Sequence, residues 1–363
     1  MMPSMEALRG KIGQMFLVGC QAASLTSNEA TIFAAYQFGG FILFKRNCSE
    51  AAGIARLCRA LWQTATVPPP FIAIDQEGGR VHRLPAPFTH FPAAARIGAQ
   101  PDLELARRLG FAVANELKLI GVNLNFAPVL DVVSDWTNPV IGDRAFGADP
   151  RRVIEIASAW ITGLRQGGII PCGKHFPGQG GTDKDSHFEL PSVNKCWDDL
   201  NLIELPPFAD ACKHRIESLM TAHVLYPALD ADFPASLSEP IVTGLLRHRL
   251  GYDGVVFSDD MAMKAISAHH DREEAALRAV LAGVDILLFC HDVEDAVAAF
   301  EALYIAAERD PLVRARVEHS HRRISALKRR YLKDFTGVAE DEIAAKLAAM
   351  NHQRLVAVHF GGA

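Results

Sequence analysis

Eight short apolar runs alternating with longer amphipathic stretches predict an α/β chain, folded as a single (β/α)8 barrel with extra helices towards its C-terminus. Three observations carry that prediction. The runs are continuous in Val, Ile, Leu and Phe, as parallel strands covered on both faces require. No Ser/Gly-rich or Pro-rich linker divides the 363 residues, and no internal repeat stands out. Ionisable residues also gather where the runs end, which in a barrel collects them on one rim. A six-stranded doubly wound sheet is the second architecture that such alternation allows.

In chain order, the strand candidates are 14–19, 39–44, 70–75, 122–129, 169–173, 218–223, 254–258 and 285–289. Helical patterns over 49–63, 102–119, 150–166, 198–214, 239–249, 272–282 and 293–309 lie between them. The stretch after Pro311 reads as two further helices. Its basic run Arg322, Arg323, Lys328, Arg329 and Arg330 is expected to be a solvated face. A barrel domain over 1–335, with a helical tail over 336–363 packed on or beside it, is the expected division.

Composition excludes several functions. Hydrophobic content of 49% with 22% charged residues suits a globular protein with a large core. A net charge of −5 and no basic tract argue against a nucleic-acid partner. Seven scattered cysteines without a CxxC pair fit a reducing compartment better than a disulfide framework. No apolar run is long enough to span a membrane. Leu17-Val18-Gly19-Cys20 after Arg9 and Lys11 looks like a lipoprotein cleavage site, but Gly13 and Gln14 interrupt the apolar stretch of roughly 7–15 residues that export needs. A first barrel strand explains those residues better, so a cytoplasmic monomer is expected.

The polar residues then fall into place. Asp75-Gln76-Glu77-Gly78-Gly79-Arg80 follows the third run, Asp131 the fourth, and Lys174 with His175 the fifth. His223 ends the sixth run, and Ser258-Asp259-Asp260 ends the seventh. Asp259, on the end of a rigid strand, is placed as a nucleophile or charge stabiliser. Asp260 suits the N-cap of a helix over 261–267. The Gly-rich loop after Lys174 carries Asp183, Asp185 and His187, and a carboxylate two residues from an imidazole can orient it for proton transfer near neutral pH. The plainer reading is a turn with an exposed histidine. His175, Asp183, Asp185 and His187 are also metal-ligand types, but no helical HxxxH or HExxH spacing accompanies them, and no metal or other cofactor is expected. Asp75, Arg83, Arg144, Lys174 and His175 offer the donors and acceptor that vicinal hydroxyls and an amide need. For Arg83 and Arg144 the plainer reading is surface ion pairing.

These residues resemble glycoside hydrolase family 3, in particular its bacterial β-N-acetylglucosaminidase branch. The likeness rests on Asp75-Gln76-Glu77-Gly78-Gly79-Arg80-Val81-His82-Arg83, Asn125-Phe126-Ala127-Pro128-Val129-Leu130-Asp131-Val132 and Asp143-Arg144-Ala145-Phe146-Gly147. It continues through Lys174-His175-Phe176-Pro177-Gly178 with Asp185-Ser186-His187, then Met220-Thr221-Ala222-His223-Val224 and Phe257-Ser258-Asp259-Asp260-Met261. The resemblance implies a TIM-like barrel and a retaining mechanism in two displacements. Asp259 matches the nucleophile, His187 the acid/base, and Asp185 its helper. Asp75, Arg83, Arg144, Lys174 and His175 match residues that bind N-acetylglucosamine, and a muropeptide-type carbohydrate is the implied substrate, met in cell-wall recycling. One departure stands out. The branch usually reads Gly-His-Gly-Asp-Thr where this chain has Gly178-Gln179-Gly180-Gly181-Thr182. A phosphorylase using the same residues is the alternative activity, since a histidine acid/base does not repel phosphate. A sugar-binding homologue with weakened catalysis is the alternative of a different class.

Overall fold

The computed structural model describes residues 5–64, 68–134, 136, 138–182 and 189–361. The eight expected strands are all present: β1 (Phe16–Gly19), β2 (Gly40–Leu43), β3 (Phe71–Ile74), β4 (Leu124–Asn125), β5 (Ile170–Phe176), β6 (Ser218–Thr221), β7 (Val255–Asp260) and β8 (Ile286–Phe289). They form a closed barrel in sequence order. Every neighbouring pair is parallel, and β1 closes the ring on β8 with Phe16 opposite Leu287.

Helices alternate with the strands as the sequence leads one to expect. Those starting at Leu103, Pro150, Val293 and Pro311 are each preceded by an aspartate whose side chain accepts the backbone N–H two residues on. Such a cap satisfies an otherwise orphaned donor and stabilises by ~1 kcal/mol. The helices Leu103–Leu119 and Pro150–Gly167 touch backbone to backbone. A β-carbon at Gly163 would sit 2.1 Å from the Arg107 carbonyl oxygen. Among the described residues three α-helices, not two, follow Asp310: Pro311–Tyr331, Ile343–Met350 and His352–Phe360. The last of them reaches the barrel helices through His352 on Glu116 at 3.1 Å and Gln353 on the Pro87 carbonyl at 2.9 Å.

A column of aromatic rings fills the barrel interior. Phe126 meets Phe257 at 5.3 Å, and Phe257 meets Phe71 at 6.3 Å, both edge to face. All three rings are essentially fully buried. Each contributes about 1.5–3 kcal/mol by leaving water. At its lower end the column rests on Lys328, whose Nζ lies 4.8 Å from the Phe71 ring centre. This corrects the expectation of a solvated basic face. Lys328 is 1% exposed and donates to Gln14 Oε1 at 2.6 Å and the Gly39 carbonyl at 2.7 Å. Arg323 also turns partly inwards, reaching the buried Asp285 at 3.5 Å while pairing with the exposed Asp253 at 2.8 Å. Arg322, Arg329 and Arg330 keep to the exposed side. Lys328 sits on an inner face because Gln14 and Gly39 begin the first two β-segments at the barrel's lower end, and the Pro311–Tyr331 helix passes beneath them.

Candidate active site

Two departures from regular sheet mark the C-terminal rim. The β5–β6 register slips between Lys174 and Phe176, and the β7–β8 register slips between Phe257 and Asp260. Side chains along a regular strand alternate faces, so an irregularity is what turns both Lys174 and His175 onto one cavity. That cavity has a volume of about 510 Å³. Asp75, Arg83, Arg144, Lys174, His175 and Asp259 all line it, with Phe126 from the aromatic column. Lys174 and His175 belong to β5 itself instead of following it, and β7 runs on through Asp260.

Lys174 is the hub of one wall. Its ammonium lies 2.7 Å from Asp75 Oδ1 and 2.6 Å from Glu77 Oε1. Glu77 in turn accepts from Nε and Nη2 along one edge of the Arg144 guanidinium, at 2.8 Å and 2.9 Å. This is a buried, bidentate pair, which overturns surface ion pairing as the reading of Arg144. Burial works against every charge here, yet mutual attraction wins. Glu77 is held well below the usual carboxylate range by Arg144 and Lys174. Lys174 is raised above the ordinary lysine value by Asp75 and Glu77 despite its desolvation. Arg83 stands 3.7 Å from Asp75 and lies over the Phe44 ring, with its Nε buried and unpartnered among the described residues. Arg80 pins the facing loop through Asp143 at 2.9 Å and three backbone carbonyls.

His175 is oriented from behind. Asp131, wholly buried, accepts its Nδ1 proton at 2.7 Å and also takes the backbone N–H groups of His175 and Gln179, at 3.1 Å and 2.7 Å. The contact fixes the imidazole from its Nδ1 side, and the ring lines the cavity. The Gln179 contact accounts for the departure at this position. The loop is fastened by the backbone of residue 179, by Tyr226 donating to the Gly178 carbonyl at 2.7 Å, and by Thr182 on the Gln179 carbonyl at 3.0 Å. At Gly181 a β-carbon would meet Lys195 Nζ at 3.2 Å. Lys195 pairs with Glu204.

Asp259 occupies the opposite wall. Burial alone would raise its pKa, but His223, His175, the Asp260 N–H and Lys174 bring it below the ordinary carboxylate value. His223 is itself held neutral by burial, but Lys174 and the Asp260 N–H at 2.8 Å are attractions that do not depend on its charge. Asp259 is therefore an anion. His223 braces this strand end, with Nε2 on the Asp260 carbonyl at 3.0 Å and Nδ1 on the Ser236 hydroxyl. Asp260 is not the cap of a helix over 261–267. It accepts the backbone N–H groups of Ala262 and Cys290, both at 3.2 Å, and the short helix is Lys264–Ser267.

The five binding candidates and Asp259 thus share one cavity, whereas Asp185 and His187 lie outside the described residues. The sequence placed Glu77, Asp131 and His223 at the strand ends but gave them no role. Their value depends on Arg144, His175 and Asp260, which are far away in sequence. Among the described residues, no group of three or more His, Cys, Asp or Glu is arranged to hold a metal ion.

A packed barrel whose C-terminal rim opens into a polar cavity, with one carboxylate kept ionised against another wall of donors, suits cleavage of a glycosidic bond, and similarity to known proteins makes the chain a glycoside hydrolase. The chain belongs to glycosyl hydrolase family 3, whose N-terminal domain is matched over residues 7–327. It is 38% identical over 313 residues to a β-hexosaminidase of Thioalkalivibrio sulfidiphilus, covering 85% of this chain and 88% of that one. Among solved structures it is similar to a family 3 β-N-acetylglucosaminidase from Paenibacillus sp. FPU-7. That match has 36% identity and a TM-score of 0.87, over 95% of this chain and 68% of the other. NagZ from Neisseria gonorrhoeae, solved with N-trifluoroacetyl-D-glucosamine, aligns at 31% identity and a TM-score of 0.74, over 93% and 97% of the two chains.

Proposed function

We propose that this protein is a retaining exo-β-N-acetylglucosaminidase acting on muropeptide-type substrates in cytoplasmic cell-wall recycling. The single observation that carries the reading is the ionised Asp259 facing the Asp75–Lys174–Glu77–Arg144 wall across a cavity of about 510 Å³. In the first displacement the Asp259 carboxylate attacks the anomeric carbon while the glycosidic oxygen leaves with a proton. A covalent glycosyl–Asp259 ester forms, and water attacks it in the second displacement. His187, oriented by Asp185, gives the proton to the leaving group and later takes one from water. Asp75, Arg83, Arg144, Lys174 and His175 hold the hydroxyls and acetamido group of the sugar. The relatives' printed activities support the choice of sugar. Seven free cysteines, six of them buried, are in keeping with a reducing compartment.

The test is release of N-acetylglucosamine from a chromogenic β-N-acetylglucosaminide, with the β-glucoside as control and with and without phosphate. Release independent of phosphate is expected, and dependence on it would instead make the protein a phosphorylase. Asp259→Ala should lower turnover by about ten-thousandfold or more while the melting temperature stays near that of the wild type. A fluorinated N-acetylglucosaminide should label the peptide that contains Asp259. A label on any other residue would remove Asp259 as the nucleophile.

A further inference from the structure

We propose that the opposite, N-terminal face of the barrel carries a second binding site, for a small anion bearing two or more phosphoryl groups. A cavity of about 720 Å³ opens there, between the starts of β6 and β7 and the Pro311–Tyr331 helix. It is larger than the cavity that holds Asp259. Arg322, Arg323 and Arg330 reach it from one face of that helix, and Arg215 from the turn before β6. Two carboxylates also border it, but both are already answered. Glu217, with its side chain fully buried, takes Arg165 at 3.0 Å and the Tyr331 hydroxyl at 2.6 Å. Asp253 takes Arg323 at 2.8 Å.

Positive charge is therefore left over. The guanidinium groups of Arg215 and Arg322 have no hydrogen-bond or ion-pair partner among the described residues, and Arg330, lying over the Tyr331 ring, approaches the satisfied Glu217 at 3.4 Å. Arg215 is further distinguished by a φ of 52°, a left-handed conformation that glycine ordinarily takes. Arg165 locks it in place by donating to the Arg215 carbonyl at 2.9 Å. A chain with a net charge of −5 has thus concentrated unpaired arginines in one concave place, where low-dielectric walls focus their field. Guanidinium groups meet phosphoryl oxygens edge on, two contacts at a time. The volume exceeds that of one phosphate and suits a diphosphate with an organic group attached. The occupant would sit at the other end of the barrel from Asp259, so it need not compete with sugar.

Calorimetric titration of the full chain with pyrophosphate, ADP and orthophosphate at low salt tests the site. Pyrophosphate should bind more tightly than orthophosphate, and tighter binding of ADP than of pyrophosphate would identify a nucleotide as the natural ligand class. Arg322→Gln, an exposed change that leaves the melting temperature unaltered, should weaken pyrophosphate about tenfold or more, and Arg215→Gln with Arg322→Gln further still. Saturating N-acetylglucosamine should not displace it. Equal affinity in wild type and variants, displacement by the sugar, or no binding to the wild type would overturn the proposal. An Asp/Glu-rich peptide binding more tightly than pyrophosphate would overturn it in favour of a protein-docking surface.

Discussion

Lys174 and Lys328 are both buried, at opposite ends of one barrel, and their surroundings could hardly differ more. Lys174 has two carboxylates within 2.7 Å and is raised above the usual lysine pKa. Lys328 has no carboxylate against it, only the neutral oxygens of Gln14 and Gly39 and the Phe71 ring, and burial takes it well below that value. The same side chain is a fixed cation in the wall of the rim cavity and a hydrogen-bonding plug where the barrel is closed. Burial by itself decides neither role. What decides is whether the chain spends acidic residues on it.

The harshest way to break this comparison is to replace each lysine by methionine. Lys174→Met leaves Asp75 and Glu77 without their shared cation, and an unpaired buried charge costs about 3–5 kcal/mol. It also takes a donor from the wall proposed to hold the sugar, so kcat/KM should fall at least about a hundredfold. Lys328→Met should leave kcat/KM within about threefold and alter stability by no more than about 2 kcal/mol, because two hydrogen bonds are lost together with a desolvation cost. Steady-state kinetics and urea unfolding on both variants measure the contrast. Comparable losses of activity would mean that the lower plug shapes the site as much as the upper hub does.

A second, smaller effect lies in pH. A lysine whose folded pKa is depressed leaves the unfolded chain holding more protons between that pKa and about 10.4. Stability from Lys328 therefore grows as pH rises through this window. Lys174 behaves in the opposite sense. Its raised folded pKa means that its contribution is present below the ordinary lysine value and lost only as pH climbs past the folded one. The buried cysteines complicate the raw curve. Cys20, Cys48, Cys172 and Cys212 are pushed up to about 12 by burial, so stability falls as the unfolded thiols ionise above about pH 8.5. The difference between wild type and Lys328→Met cancels that background. Unfolding free energies from pH 7 to 10 should show the wild type gaining on the variant, and parallel curves would mean that Lys328 stays charged in place.

The two ends also differ in how far the sequence discloses them. Strand positions came through because a parallel barrel strand must be apolar on both faces, and helix starts because Asp102, Asp149, Asp292 and Asp310 cap locally. The upper cavity was legible because strand ends concentrate ionisable residues there. The lower plug was not. Lys328 sits between Leu327 and Arg329 in a helix of polar average, and only the passage of that helix under Gln14 and Gly39 buries it. Within the upper site, Glu77 escaped notice for a related reason: its bidentate partner is 67 residues away. Local sequence reports what a residue can do, whereas its partner decides what it does.

The mildest prediction concerns position 179, where the family's branch usually carries histidine. The structure holds this loop by the Gln179 N–H on Asp131 and by the Gly178 and Gln179 carbonyls, none of which depends on the identity of the side chain. Gln179→His should therefore change kcat/KM by less than about threefold. Gly181 is a different matter, because a β-carbon there lies 3.2 Å from Lys195 Nζ and an acid would compete with Glu204 for that ammonium. Gly181→Asp should accordingly change kcat/KM more than Gln179→His does. If the order of the two effects were reversed, the loop would owe its shape to the side chain at 179, and the backbone anchoring to Asp131 would be incidental.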